Sequence, residues 1–304
     1  MAVMTASDTP AGSSVLPANP TARRETIAAF ALLSPVLLLF AFTVVYPFID
    51  TIRLSFFDIK GLNPAKFVGL GNYIKLMGDQ VFLGSLKATL IFSLGATALC
   101  CSVGWLLAML CSFAPKETTI FRAMIFAAFG VAETVIGVIW LDIYRPGSAG
   151  LLNSVLGIDH AWLGDPNTAI WCIVVAASWG AVGLPMMLCF ASVQSISKSV
   201  LEAAYIDGAS PIQMMWHIMM PLSLPGVRVS IFILLLGSLR TFDLIFVLTG
   251  GGPLRSTETV GYFVYKESMS LFKLGYGAAA TLVLLAGVLL ISVPAIIQRT
   301  ASVR

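Results

Sequence analysis

Six long apolar stretches dominate the chain, and its polar residues gather between them. The stretches run at about 27–48, 86–112, 121–143, 169–193, 224–248 and 274–297. A bilayer core of about 30 Å needs roughly 20 apolar residues in helical form. Each stretch therefore predicts a membrane-crossing helix. The expected fold class is all-α, a polytopic integral membrane protein with six transmembrane helices. The five connections differ in kind. Those at 49–85 and 144–168 are long, the second punctuated by Pro, Gly and Asn. The connection at 249–273 opens with "TGGGP", which reads as a flexible loop. A short one surrounds "APKETT", and the one between the fourth and fifth stretches holds "EAAYIDGASPIQMMWHIMMP" at 202–221.

Composition agrees with this pattern. Of 304 residues, 58% are hydrophobic and 11% charged, where soluble domains carry about a quarter charged residues. The net charge of +3 is small and scattered, so no nucleic-acid partner is expected. Cys100, Cys101, Cys111, Cys172 and Cys189 lie within or at the ends of apolar runs without CxxC spacing. They read as small packing residues, not as disulfides or metal ligands. Residues 1–26 are rich in Ala, Ser, Thr and Pro and show no short apolar core with a cleavage site, so a disordered tail is expected there. A second short tail is expected at 298–304. Arg23 and Arg24 before the first stretch and Arg299 after the last favour cytoplasmic termini on the Lys/Arg bias.

Capping rules dissect the fourth connection. Ser199 is followed three residues on by Glu202, the pattern of a capping box. It predicts a short helix from Ser199 to about Ile206, with Glu202 near its N-terminus, where a negative charge is stabilised. Asp207 and Gly208 then end that helix, since glycine accepts the left-handed conformation of a helix end. Ser210, Pro211 and Gln213 supply an N-cap, a proline at the first helical position and a second capping box. The second helix is expected to stop at Pro221. Ile212, Met215, Trp216 and Met219 would form one apolar stripe on it. An internal packing element and a docking element for another protein both fit such a unit.

The segment resembles the EAA motif found in membrane subunits of binding-protein-dependent ABC importers with the type I fold. Glu202, Ala203, Ala204, Asp207, Gly208, Ala209 and Pro221 carry the match. "LLSPVLLLFAFTVVYPFIDTIRLSFFD", "FVGLGNY", "GLLNSVLG", "WLGDP" and "FDLIFVLTGGGP" are similar to the carbohydrate-importing branch. The resemblance implies that 199–221 is a cytoplasmic coupling unit seated in a groove of an ATP-hydrolysing subunit. Glu202, Ala203, Ala204, Asp207, Gly208, Met215 and Pro221 would then carry ATPase coupling. It implies cytoplasmic termini, a location in the cell membrane with lipid around the spans, and a permease domain covering 27–297. The implied partners are a second, homologous permease, two ATP-binding cassette subunits and an extracytoplasmic solute-binding protein, which would dock near Thr249–Pro253. ATP and Mg²⁺ would belong to the ATPase chains, with no cofactor in this one. Met215 stands where the motif often has Phe, and Ile212 where it often has Trp. Gln213, Met214 and His217 replace frequent basic residues, which bears on which ATPase the unit fits.

The resemblance also suggests a solute path. The fifth stretch would contribute Ser238, Arg240, Thr241 and Asp243, and the fourth, at "WGAVGLP", Trp179 and Leu184. Residue chemistry alone leaves alternatives open. Arg240 and Asp243 stand three apart on one predicted helix face, so they could pair with each other or border the path. Trp179 suits a sugar ring or an ordinary packing role. Glu133 is a further intramembrane acid, for which pairing with a neighbouring helix is the default. The expected solute is a sugar or sugar-like molecule, with glycerol phosphate or a polyol as the alternative. No GxxxxGK[ST], HExxH or GxSxG pattern is present, so ATP hydrolysis is assigned to another chain and no catalysis to this one. "GYGAAA" at 275–280 opens a span without a preceding strand and reads as helix packing. An ion-coupled secondary transporter would show inverted repeats with acids at matched positions, and a membrane enzyme would show an acid cluster. Neither pattern is present.

Overall fold

A computed structural model describes residues 20–301, with side chains at 30–290 and 292. The expected tails at 1–19 and 302–304 lie outside the described residues. Helix α1 (Pro20–Phe40) begins inside the expected N-terminal tail. It passes through a π turn, Ala41–Val45, into α2 (Tyr46–Ser55). The chain divides into two compact units, one up to Asp50 and one from Thr51 onward.

In the second unit, a two-stranded antiparallel ribbon, β1 (Phe57–Asp58) and β2 (Lys66–Phe67), pairs Phe57 with Phe67. Helix α3 (Gly71–Gly78) leads to α4 (Gln80–Phe113), the longest straight helix. Asp79 caps α4 by accepting the Val81 N–H at 2.9 Å. Its other oxygen takes the Tyr276 hydroxyl at 2.6 Å. Burial pushes this carboxyl up, but the Tyr276 hydroxyl, backbone amides and Lys75 outweigh it and hold it below its ordinary value.

The third apolar stretch is not one helix. It breaks between α5 (Thr119–Ala128) and α6 (Glu133–Ile143), which meet at 95°. Gly130, a poor helix former, lies in the break, and Glu133 opens the new helix where an acid is favourable. After α7 (Leu151–Leu156), the fourth stretch bends by 50° between α8 (Ala169–Ala181) and α9 (Gly183–Gln194). Pro185 lacks an N–H and its ring crowds the Ala181 carbonyl, which accounts for the bend.

Helix α10 (Lys198–Ile206) precedes α11 (Pro211–Gln213), a π turn at Met214–Met219, and α12 (Met220–Ser238). Contrary to expectation, Pro221 does not end the helix, and Pro211–Ser238 run as one 28-residue rod. The π turn explains this. The Met220 N–H reaches back five residues to Met215, so the wider turn just ahead of Pro221 relieves the clash with the preceding carbonyls. The same arrangement occurs at Ala41–Val45, where the Tyr46 N–H reaches Ala41 just ahead of Pro47. The fifth helix then stops at Ser238 instead of Leu248. Helix α13 (Asp243–Leu248), α14 (Val260–Tyr265), a π turn at Lys266–Ser270 and α15 (Leu274–Ala301) complete the fold. Helix α15 overruns the expected boundary at 297.

Three apolar clusters hold the second unit together. Phe92, Ile136, Ile173, Leu244 and Ile245 join α4, α6, α8 and α13. Leu76, Phe82, Val260, Phe263 and Tyr276 join α3, α4, α14 and α15. Met109, Met186, Cys189, Val193 and Met219 join α4, α9 and the π turn. All five cysteines are buried and free. The helices around α9 approach backbone to backbone. A Cβ on Gly226 would lie 2.7 Å from the Leu188 carbonyl oxygen, and one on Gly104 2.9 Å from the Met186 nitrogen.

Gly226→Ala is expected to cost about 1–3 kcal/mol by overpacking. It should lower the thermal midpoint of the detergent-purified protein. Gly84→Ala, where a Cβ meets nothing within 4 Å, should not. Asp79→Ala should cost about 1–2 kcal/mol through loss of the cap. Because the folded carboxyl is depressed, its contribution is complete above its unfolded pKa of about 3.9 and fades only as pH falls through the lower folded value. Melting curves between pH 7 and pH 5 should therefore show the same gap between variant and parent.

Candidate functional site

Two regions carry the residues singled out in the sequence. The first is the helix–turn–helix at 198–221. Helix α10 starts two residues earlier than the capping pattern predicts. Its N-cap is Ser197, which makes no side-chain cap. The Ser199 hydroxyl bonds to that of Ser197 at 2.7 Å instead of serving as a cap. Glu202 thus sits in the second turn, exposed, not at the helix N-terminus. Gly208 ends α10 at φ +78, a conformation L side chains rarely adopt. The second capping box forms as expected. The Gln213 N–H reaches Ser210 Oγ at 3.3 Å, and Gln213 Oε1 takes the Ser210 N–H at 2.8 Å.

The π turn splits the predicted stripe. Met219 is buried with Met186 and Val193, and Met214, Met215 and Leu201 pack beside them. Ile212 and Trp216 stay exposed. Trp216 leans on Trp105 with ring centroids 5.1 Å apart, and Trp105 Nε1 donates to Ser223 Oγ at 3.1 Å. One side of the unit is therefore anchored to α4, α9 and α12. The other presents Tyr205 at 76%, Ile206 at 82% and Ile212 at 68% exposure. Glu202, Ala203, Asp207 and Pro221 are exposed as well, while Ala204 and Met215 are half-buried.

The second region is a cavity of about 220 Å³ walled by α4, the α5–α6 break, the α8–α9 bend and the end of α12. Leu184, Ser238 and Thr241 line it. Trp179, Arg240 and Asp243 do not. Trp179 stands edge-on to Trp140 at 6.3 Å. Arg240 lies between the end of α12 and the start of α13, so the assumed common helix face does not exist. Both Arg240 and Asp243 are exposed, and among the described residues no ion pair joins them.

Residues 26–301 match the family described as "Binding-protein-dependent transport system inner membrane component". The chain belongs to this family. This permease is 33% identical to a probable ABC transporter permease of Bacillus subtilis, over 86% of its own length and 92% of the relative's. It is 34% identical to the sn-glycerol-3-phosphate transport system permease protein of Agrobacterium fabrum, over 75% and 78%. Its fold is similar to that of a chain from a bacterial ABC transporter involved in the import of the acidic polysaccharide alginate. There the TM-score is 0.78 at 19% identity, covering 90% of the permease and 96% of that chain. The permease is thus an inner membrane component of an ABC transporter that works with a binding protein, and its apolar helices are its membrane part.

Several residues escaped sequence reasoning. Thr97 lines the permease's cavity, as does Glu133, an intramembrane acid expected only to pair with a neighbouring helix; the cavity depends on helix breaks that no local pattern announced. Glu258 is buried in the connection after α13, with Lys266 Nζ at 3.4 Å and Arg255 Nε at 3.8 Å. "TGGGP" is braced rather than loose. Thr249 and Thr257 share a hydrogen bond at 2.7 Å, and Thr257 Oγ1 donates to the Gly252 carbonyl at 2.6 Å. A charged residue among turn residues, followed by cations at +8, was the only signal available for Glu258.

Replacing Ser210 by Ala in the permease should remove about 1 kcal/mol of helix stability. Hydrogen exchange of the amides at 212–214 should then run about fivefold faster, with the spans unchanged.

Proposed function

We propose that this permease forms half of the translocation path for a sugar or sugar-like solute delivered by an extracytoplasmic binding protein. In this reading it pairs with a second, homologous permease. Two ATP-binding cassette subunits, which hold ATP and Mg²⁺, drive the pair. Both termini and the 199–221 unit face the cytoplasm, and the 249–273 connection faces outward, toward the binding protein.

The observation that carries the coupling role is the construction of 198–221. A tip with Tyr205, Ile206 and Ile212 exposed is joined through a capped turn to a rod that continues to Ser238. Exposed apolar side chains of this size mark a partner surface. The opposite side is packed into the methionine cluster, so movement imposed on the tip is passed to the spans instead of being absorbed. Closure of the ATPase pair would press on Glu202, Ala203, Ala204, Asp207 and Gly208. Met215 and Pro221 would keep the unit seated on α12. The two permeases would then rock between inward-open and outward-open states.

Sugar chemistry is supported by the hydroxyl-bearing cavity at Ser178, Ser238 and Thr241. A second reading, glycerol phosphate as the solute, is supported by relatives at 30–34% identity named for sn-glycerol-3-phosphate transport.

Gly208→Pro tests the coupling. The variant should insert and assemble normally yet lose uptake at least tenfold, with ATP hydrolysis no longer stimulated by loaded binding protein. Full uptake by this variant in proteoliposomes would sink the coupling role. Failure of the parent chain to co-purify with an ATPase and a second permease would sink the importer reading itself.

A further inference from the structure

The cavity also has a charge character. Its hydroxyls come from Thr97, Ser178, Ser238 and Thr241, and its one charged lining residue is Glu133. Among the described residues no Lys, Arg or His lines it. Arg240 is exposed outside the lining. Thr97 is 6% exposed, and its Oγ1 is buried without a hydrogen-bond partner. A buried hydroxyl left unpaired costs free energy unless something enters to satisfy it. Ser178 and Ser238 direct their hydroxyl protons to the backbone carbonyls of Ala96 at 3.4 Å and Leu235 at 3.0 Å. Their oxygens face a guest as acceptors, as does the Glu133 carboxylate. Such a lining matches a guest that donates hydrogen bonds through many hydroxyls. A phosphate or carboxylate would bring only acceptors and a like charge, with no cation to meet it.

Resting on the importer reading above, we infer that this cavity binds an uncharged polyhydroxylated solute. Glu133 accepts its hydroxyls and excludes phosphorylated or carboxylated sugars. The inference divides the two solute classes left open and assigns the discrimination to one side chain of this chain.

The test reads the cavity's electrostatics directly. Ser238→Cys is introduced in the full assembled importer in nanodiscs, so that the second permease is in place. Thr241→Cys serves as a second reporter should the first not assemble. Labelling rates are measured with cationic and anionic methanethiosulfonates of similar size, each normalised to its rate with a free thiol. Because Cys100 lines the same cavity, every reporter is built on a Cys100→Ala background, and that background without a reporter cysteine is the blank. The expected result is a cation preference of about tenfold. It should collapse to near parity in Glu133→Gln and invert in Glu133→Lys. Parity with Glu133 intact, or a preference that Glu133→Gln leaves unmoved, would overturn the inference. So would protection of the cysteine by glycerol 3-phosphate but not by an uncharged disaccharide. None of these readouts needs uptake, so a failed charge filter is distinguishable from a chain that is not part of an importer.

Discussion

Close backbone contact around α9 is the constraint on which the membrane part depends. Between helices in lipid the hydrophobic effect gives little, so van der Waals contact must hold them, and small residues permit it. Gly104 on α4 and Gly226 on α12 let both helices reach α9, and Gly183 lets α5 approach to where a Cβ would stand 2.7 Å from the Phe126 Cα. Helix α9 is the common neighbour of all three. Its far end, at Val193, enters the same methionine cluster as Met219. Loosening α9 would loosen the seat of the helix–turn–helix at 198–221 as well as the span.

The cavity follows from the same helices being imperfect. A straight third stretch would carry Glu133 in mid-helix, and a straight fifth would carry Ser238, Thr241 and Asp243 through lipid in one rod. The breaks at 129–132 and 239–242 turn helix ends toward the interior. Polar backbone and carboxylates can stand at membrane depth only where they line such a space. The bend at Pro185 places Leu184 on the same wall. The cavity is therefore a by-product of where helices cannot continue.

The apolar pattern located the candidate spans among the described residues, three continuous helices and two bent pairs, because burial in lipid demands long uninterrupted hydrophobic runs; the sixth stretch appears there only as a shorter apolar helix, Leu274–Leu290. The pattern did not reveal that two of the spans are bent pairs, since Gly130 and Pro185 interrupt hydrogen bonding without interrupting hydropathy. The turn at Gly208 and the box at Ser210 were legible because they are local. Ser199 misled, because the helix already begins at Lys198 with Ser197 as its N-cap, so Ser199 lies inside the first turn and its hydroxyl bonds to that of Ser197. Pro221 misled because its effect depends on the turn before it, and the residues at 214–219 carry no distinctive mark of a π turn. Arg240 and Asp243 had been placed on one face by counting along a helix that stops at Ser238. Leu184, Ser238 and Thr241 reached the cavity wall while Trp179 did not, a difference set by tertiary packing against Trp140.

The continuity through Pro221 also fixes a length. At about 1.5 Å per residue, the 28 residues from Pro211 to Ser238 form a bar of about 42 Å. One end lies in the helix–turn–helix at 198–221 and the other in the cavity wall, with the π turn at Met214–Met219 and Pro225 between them. A tilt of about 10° at one end displaces the other by several ångströms, comparable to the width of a hydrogen-bonding site. Under the proposed importer reading, such a bar would act as a lever arm between the tip and the cavity wall.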